Sequence, residues 1–418
     1  MTRIPTPAEL DDALLRLARA DRRAWRVERV GASAGGRPLR VLSIGSGARH
    51  VLVIGGPHAN EPIGFLTMLH LARLLAERPA LREGRTWHLL PCLDPDGAAR
   101  MITHWYGGPY ALRAYHRGFY RPPMAQHPEA AFGRDEQPAG TVALKTLLRE
   151  LRPAVMCSLH NADFGGAFFI LNRASFGLPT VLQRLTAAWG MPLSRSHADT
   201  FGWPSPGLGV YVRPSAASRT HLSAYAQRYG TLSFVPEVPV WADLRSACGL
   251  AYGVPYDRAL LTAARAIGAD MDRLEGLCGE GGDEAIMAAF ADTVAIGRWF
   301  ASGWERLAGE GPSVITVAEV AALAHARHST RLRALGLLLR GQPGVGSRSR
   351  PLSFSPSLSL SRGLLFRGRA GGGLFDAWCA EAVAQIAPRR LPLRTLAAVQ
   401  LGAVLAAATG AAGWPVWR

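Results

Sequence analysis

Residues 51–64 read VLVIGGPHANEPIG: an apolar, β-branched run that stops at two glycines and a proline and then delivers His58 and Glu61. A short continuous apolar run bounded by turn residues is the pattern of a strand covered on both faces, so residues 51–56 are read as a buried strand. Gly55, Gly56 and Pro57 end it. The side chains that follow therefore sit in a loop at the strand's carboxyl end, where open α/β sheets bind their ligands. His58 and Glu61 are three apart, which lets an imidazole nitrogen and a carboxylate oxygen converge on one cation from a single turn of loop. Zinc accepts both donor types, and a catalytic zinc takes three protein ligands and leaves a fourth position open. A third ligand and a proton acceptor are then expected at the ends of other strands.

The run AVMCSLH, residues 154–160, is the next place where an apolar strand ends in a histidine, and the turn-forming NADFGG follows it. His160 completes a His, Glu, His set. Residues 231–240, TLSFVPEVPV, hold one acid, Glu237, in an otherwise apolar strand. An unpaired carboxylate is costly to bury, so a functional role for Glu237 is the cheaper reading. The alternative is an edge-strand glutamate facing water, because Pro236 and Pro239 each lack a ladder donor.

The remaining pattern is that of an α/β chain. PAELDDALLRLARAD, residues 7–21, has helical spacing of its leucines. WRVERVG and VLSIGSG form a strand pair around the turn ASAGGRPLR, and FLTMLHLARLLAER is a strong helix. WHLLPCLDPDG is a buried strand closed by a Pro-Asp-Gly turn, and TVALKTLLREL is a helix. Residues 101–137, rich in Gly, Pro, Tyr and Arg, lack a period and are read as a substrate-side loop. Helices continue to about residue 338, and residues 341–373, biased to Ser, Pro, Gly and Arg, are read as a disordered linker. The stretch RTLAAVQLGAVLAAATGAAGW near the carboxyl end is about as long as a membrane span. Alanine makes it only mildly hydrophobic, and Gln400 and Thr409 interrupt it, so a packed terminal helix is expected.

With 418 residues the chain can bury a large core, and 47 Lys+Arg against 31 Asp+Glu give a formal charge of +16. Lys145 is the one lysine, and the arginines are scattered rather than striped, which disfavours a nucleic-acid surface. Arginines in this number suit a substrate carboxylate better. Five widely spaced cysteines without C-x-x-C give no disulfide framework. The amino terminus lacks the apolar core of a signal peptide, so the expectation is a cytoplasmic protein without a membrane segment.

Taken in order, GASAGGRPLRVLSIG, HANE, DPDG, SLH and FVPEVP resemble the motifs of the M14, carboxypeptidase A-like, zinc carboxypeptidases over roughly residues 20–245. The resemblance implies a mixed, mostly parallel twisted sheet with helices on both faces, followed here by a helical carboxy-terminal extension. Taken with the patterns of the remaining sequence, the expected division is a catalytic domain at 1–290, a helical extension at 291–340, the linker at 341–373 and a helical tail at 374–418. The resemblance also implies one Zn2+ per chain on His58, Glu61 and His160, with Glu237 as general base. The family's usual Asn-Arg pair for the substrate carboxylate is absent as such. FYRPP stands in that loop, so Arg121 is the nearest candidate for holding the carboxylate and assisting catalysis. Asp94 stands where the turn usually has Asn. Arg100, Arg113 and Arg117 lie in the region of the arginine that polarises the scissile carbonyl, and Tyr211 is a loose match to the family's phenol. The expected activity is hydrolysis of a C-terminal peptide bond. Alternatives are a zinc amidase or deacylase acting on N-acyl amino acids or cell-wall peptides, and a binding protein that kept the scaffold.

Overall fold

In a computed structural model of the chain, residues 3–105, 111–214, 220–342 and 361–410 are described. They group into two compact units, each discontinuous in sequence. The first takes in Met1–Ile102, Met124–Gly249 and Pro388–Arg418, the second Thr103–Pro123 and Leu250–Ala387. This grouping differs from the linear division into 1–290, 291–340 and 374–418: residues 250–290 go with the helices that follow them, and the terminal helix goes with the sheet.

The first unit opens with α1 (Pro7–Ala20), which starts in a reciprocal cap: the Thr6 side chain accepts the Glu9 N–H and Glu9 accepts the Thr6 N–H. Its strands are β1 (Trp25–Ala32), β2 (Pro38–Gly45), β3 (Arg49–Ile54), β4 (Arg85–Leu90), β5 (Val155–Ser158), β6 (His160–Gly165), β7 (Phe168–Leu171), β8 (Val210–Val212) and β9 (Leu232–Ala242). Among the described residues they form one sheet in the order β1-β2-β4-β3-β5-β9-β7-β8, with β6 also paired to β9. The β3–β4, β3–β5, β5–β9, β6–β9 and β7–β8 pairs are parallel, while β1–β2, β2–β4 and β7–β9 are antiparallel. Val51, Leu52, Val53 and Ile54 are all fully buried, as the run in residues 51–64 required.

The connecting helices are α2 (Ile63–Glu77), α3 (Pro95–Trp105), α5 (Ala139–Leu151), α6 (Leu178–Ala188) and α7 (Leu222–Gln227), with α4 (Leu112–Arg117) falling in the other unit. Leu144, Leu147 and Leu148 of α5 and Leu222 and Ala226 of α7 pack on the sheet face that carries Leu52, Ile54, Leu90 and Met156. The expected Pro-Asp-Gly turn is the first turn of α3 instead. Pro95 supplies a preset φ, and Asp94 accepts the Gly97 N–H at 2.8 Å in the manner of a helix cap. Asp96 then takes Ser33 Oγ, Gly35 N and Arg37 Nη1 at 2.8, 2.8 and 2.5 Å, which ties the β1–β2 turn to this helix.

The second unit contains α4, the two-stranded β10 (Ala251–Pro255) and β11 (Val314–Thr316), and the long helices α8 (Tyr256–Leu277), α9 (Glu284–Ala308), α10 (Val317–Gly341) and α11 (Ser361–Ile386). Arg331, fully buried, is held by Glu381 at 2.8 Å and by His328 at 2.9 Å, with its guanidinium over the Trp378 ring. Of the linker expected at 341–373, residues 343–360 lie outside the described residues, and 361–373 form the first half of α11.

The chain returns to the sheet with β12 (Arg389–Arg390), antiparallel to the end of β9, and α12 (Leu393–Thr409). This last helix packs on α2, α6, β5 and β9. A Cβ at Gly402 would lie 2.7 Å from a Leu185 methyl, so a larger residue there would require that side chain to shift. Among the described residues no helix is long and apolar enough to cross a membrane.

Candidate metal centre

Parallel pairing of β3 with β5 sets Ile54 beside Ser158, so the residues that follow the two strands leave the sheet at the same edge. Leu159 N–H donates to Ile54 O at 2.9 Å and fixes that edge. Gly56 turns the β3 loop with φ +50°, and a Cβ there would lie 2.5 Å from the Phe65 ring. His58, Glu61 and His160 meet as a result. All three are buried, and one ligand atom from each lies within 4.8 Å of the others. His160 Nδ1 is 2.9 Å from Glu61 Oε2, and the two histidine rings stand edge to face at 4.8 Å.

Glu237 lies in a central strand, not an edge one. Its backbone pairs with His160 of β6 on one side and Phe168 of β7 on the other, and its Oε1 is 3.5 Å from His160 Nδ1. The ladder accommodates Pro236 through a gap: β5 pairs with residues 232–234 of β9 and β6 with 237–242, leaving 235 and 236 without partners on that side, while Pro239 lies opposite Ala162 of β6 and beyond the last β7 pair.

Sequence reasoning missed a third acid. Glu129, in the segment that showed no period, is buried with Oε2 3.0 Å from His160 Nε2 and 3.8 Å from His58 Nε2. Ser158 Oγ donates to its other oxygen at 2.6 Å. Burial raises its pKa, but His160, His221 and the Ser158 hydrogen bond outweigh burial and hold the carboxyl at about 2. His160 answers in the opposite sense: burial lowers its pKa, and Glu61 and Glu129 raise it well above the ordinary imidazole value. His127, from the same segment, sits with its ring 4.5 Å from that of His58.

Three carboxylates around a pair of histidines make a buried, electronegative pocket, and the His, Glu, His donors are those of hydrolytic zinc sites. With Glu129 accepting from Nε2, His160 keeps Nδ1 for a cation, the usual arrangement of a metal-binding histidine and its outer carboxylate. The residues present therefore fit a zinc ion.

The structure distributes the remaining candidates as follows. Arg113, Arg117 and Arg121 belong to the second unit, where Arg113 pairs with Asp376 at 2.8 Å and Arg117 stacks over the Phe375 ring. Arg100 is exposed on α3. Tyr211 is buried, and its hydroxyl donates to Ser194 O at 3.2 Å.

An arginine not singled out from the sequence, Arg213, lies in the first unit. Its N–H donates to Leu171 O just past β8. Tyr211 is opposite Ile170, Ile170 is opposite Val235, and alternation then puts Tyr211 and Arg213 on the sheet face of Val235 and Glu237. Phe168, Ile170, Tyr211 and Val235 line that face as an apolar wall, with Trp203 packed against it. The Arg213 guanidinium lies over Trp203 at 4.9 Å, its Nε is sealed from solvent, and among the described residues that nitrogen has no hydrogen-bond partner. Burial lowers its pKa, and the charges of Glu129, Asp199 and Glu237 partly offset this.

Comparison with known proteins agrees with the motif reading over part of the chain. Residues 10–122 match the family model described as zinc carboxypeptidase. No curated protein matches the chain. A metallo-carboxypeptidase from Burkholderia cenocepacia aligns over 56% of this chain and 59% of its own length, at 16% identity and TM-score 0.39. The alignment thus takes in less than two thirds of that protein. Carboxypeptidase A from Helicoverpa armigera aligns over 73% of each chain at 15% identity and TM-score 0.41. Residues 10–122, which carry His58 and Glu61, are thus of the zinc carboxypeptidase family type by sequence.

Proposed function

We propose that this chain is a zinc-dependent hydrolase that cleaves a C-terminal peptide bond, with one Zn2+ per chain held by His58, Glu61 and His160. The observation that carries this reading is the buried triad with ligand atoms within 4.8 Å of one another and a further carboxylate, Glu237, at its side. Zinc in such a site supplies Lewis acidity and brings the pKa of a coordinated water toward neutrality. Glu237 Oε1 takes the proton of the attacking water and passes it to the leaving nitrogen. Glu129 holds the proton on His160 Nε2 and so presents Nδ1 to the ion. The apolar wall of Phe168, Ile170, Tyr211 and Val235 suits an uncharged substrate side chain, and Arg213 is our candidate for the anionic end, with Arg121 as the alternative.

A second reading, a zinc amidase or deacylase acting on an N-acyl amino acid or a cell-wall peptide, is favoured by one feature. The segment beside the ligands brings in the imidazole of His127 and the carboxylate of Glu129. Substrates would then be chosen by a pocket other than the family's carboxylate grip.

Glu237→Gln tests the mechanism common to both readings. Hydrolysis is expected to fall by about 10²–10⁴-fold, with zinc content by metal analysis unchanged. Full activity in that variant would overturn the assignment of the base. Comparing free-acid peptides with their C-terminal amides and with N-acyl amino acids separates the two readings, since only an exopeptidase requires the free terminus.

A further inference from the structure

Gln400 stands in the middle of the apolar helix α12, fully buried, at a position that sequence alone marks only as an interruption. Its Nε2 donates to His160 O at 2.7 Å and to Pro236 O at 3.3 Å, and its Oε1 accepts the hydroxyl of Thr67 at 2.7 Å. The two carbonyls belong to a proposed zinc ligand and to the residue before the proposed base. They also flank the break where β5 gives way to β6 and where β9, at residues 235 and 236, has no partner on that side. A buried carbonyl without a donor carries an uncompensated desolvation cost, and Pro236 has no N–H to offer the ladder. One amide from the far end of the chain covers both.

Thr67, on α2, decides which way that amide points. A hydroxyl donating to Oε1 leaves Nε2 to face the carbonyls, so the assignment of oxygen and nitrogen follows from the hydrogen-bond network. Thr67 is fully buried too.

We infer that Gln400 is a positioning residue for the metal centre: through the His160 and Pro236 carbonyls, α12 fixes the spacing and register of the backbone that carries His160 and Glu237. This rests on the metal site proposed above, and its test is read without turnover. In Gln400→Met the shape is nearly kept and the donor lost. Thr67→Val keeps the donor and frees its orientation.

Cobalt(II) substituted into purified protein reports ligand geometry through its visible d–d bands, and its titration reports affinity. The expected result for Gln400→Met is a folded protein with altered cobalt bands and about 10–100-fold weaker metal binding, the range seen when support to a ligand is removed. Thr67→Val should move the same bands in the same direction by less. Wild-type bands and affinity in a folded Gln400→Met protein would overturn the inference. Should Gln400→Met not fold, wild-type bands and affinity in Thr67→Val would overturn it equally. If wild-type protein binds cobalt yet cleaves none of the substrates above, the functional reading fails while this test still stands.

Discussion

A guanidinium with a sealed nitrogen that nothing described in the chain satisfies carries a desolvation cost which an arriving anion can relieve. Arg213 is such a group, and it shares a sheet face with Glu237. A hydrogen-bonded charge pair there is worth about 1.5–3 kcal/mol, or roughly 10–150-fold in affinity. Arg213→Met should raise KM for free-acid peptides by that factor, with a smaller effect on kcat and little effect on peptide amides. Arg121→Met, measured alongside, should leave KM near wild type. If the two variants behave the other way round, the carboxylate is read by Arg121. The sequence made His58, Glu61, His160 and Glu237 legible because each follows or interrupts an apolar strand, where a polar residue needs a reason. Glu129 and His127 gave no such signal, since they sit in a segment without a period. Arg213 was one arginine among many.

At the scale of elements, the β3–β5 pairing does most to build the site, and it was readable because strands buried on both faces show as unbroken apolar runs. The β9 strand was harder. Its prolines argued for an edge, but Pro236 falls where β5 gives way to β6, with an amide from α12 across the gap, and Pro239 lies beyond the last β7 pair. Another strand supplies a titration that is independent of the metal centre. His88 of β4 is buried between Ser43 and His50, at 2.8 Å from each, and burial, with His50 and Arg26 adding to it, lowers its pKa to about 4. A folded value below the unfolded one near 6.5 means that the unfolded chain binds the proton first as pH falls. The stability held by neutral His88 is therefore complete above about pH 6.5 and lost on the way down to about 4, by up to about 3 kcal/mol. Thermal melting across that range should show the decline in the wild type and a shallower one in His88→Gln.

For the molecule as a whole, α12 belongs to the fold of the first unit. Leu393, Leu396, Val399, Val404 and Leu405 are buried on it, and each such side chain contributes about 1.5–3 kcal/mol. Their sum is comparable to the entire stability of a typical domain, about 5–15 kcal/mol. Ending the chain after Ala387 should therefore leave the first unit unfolded, seen as loss of near-ultraviolet circular dichroism and of stoichiometric zinc. A truncated protein with native spectra and full metal content would contradict this. The mild hydropathy of that stretch let a packed helix be read from sequence, whereas its partner could not be, because nothing local records that residue 400 meets residues 67, 160 and 236.

That long-range meeting has a consequence in time. A polypeptide is made from its amino end, and 240 residues separate His160 from Gln400. At about 5–20 residues per second, a ribosome needs roughly 10–50 s to cover that distance. The three side chains proposed to hold the ion, and the acid beside them, are outside well before the Gln400 amide proposed to position their strands is made. On that proposal, maturation of the centre waits until α12 is made, and a nascent chain interrupted short of it carries the four side chains without the amide that spans their two strands.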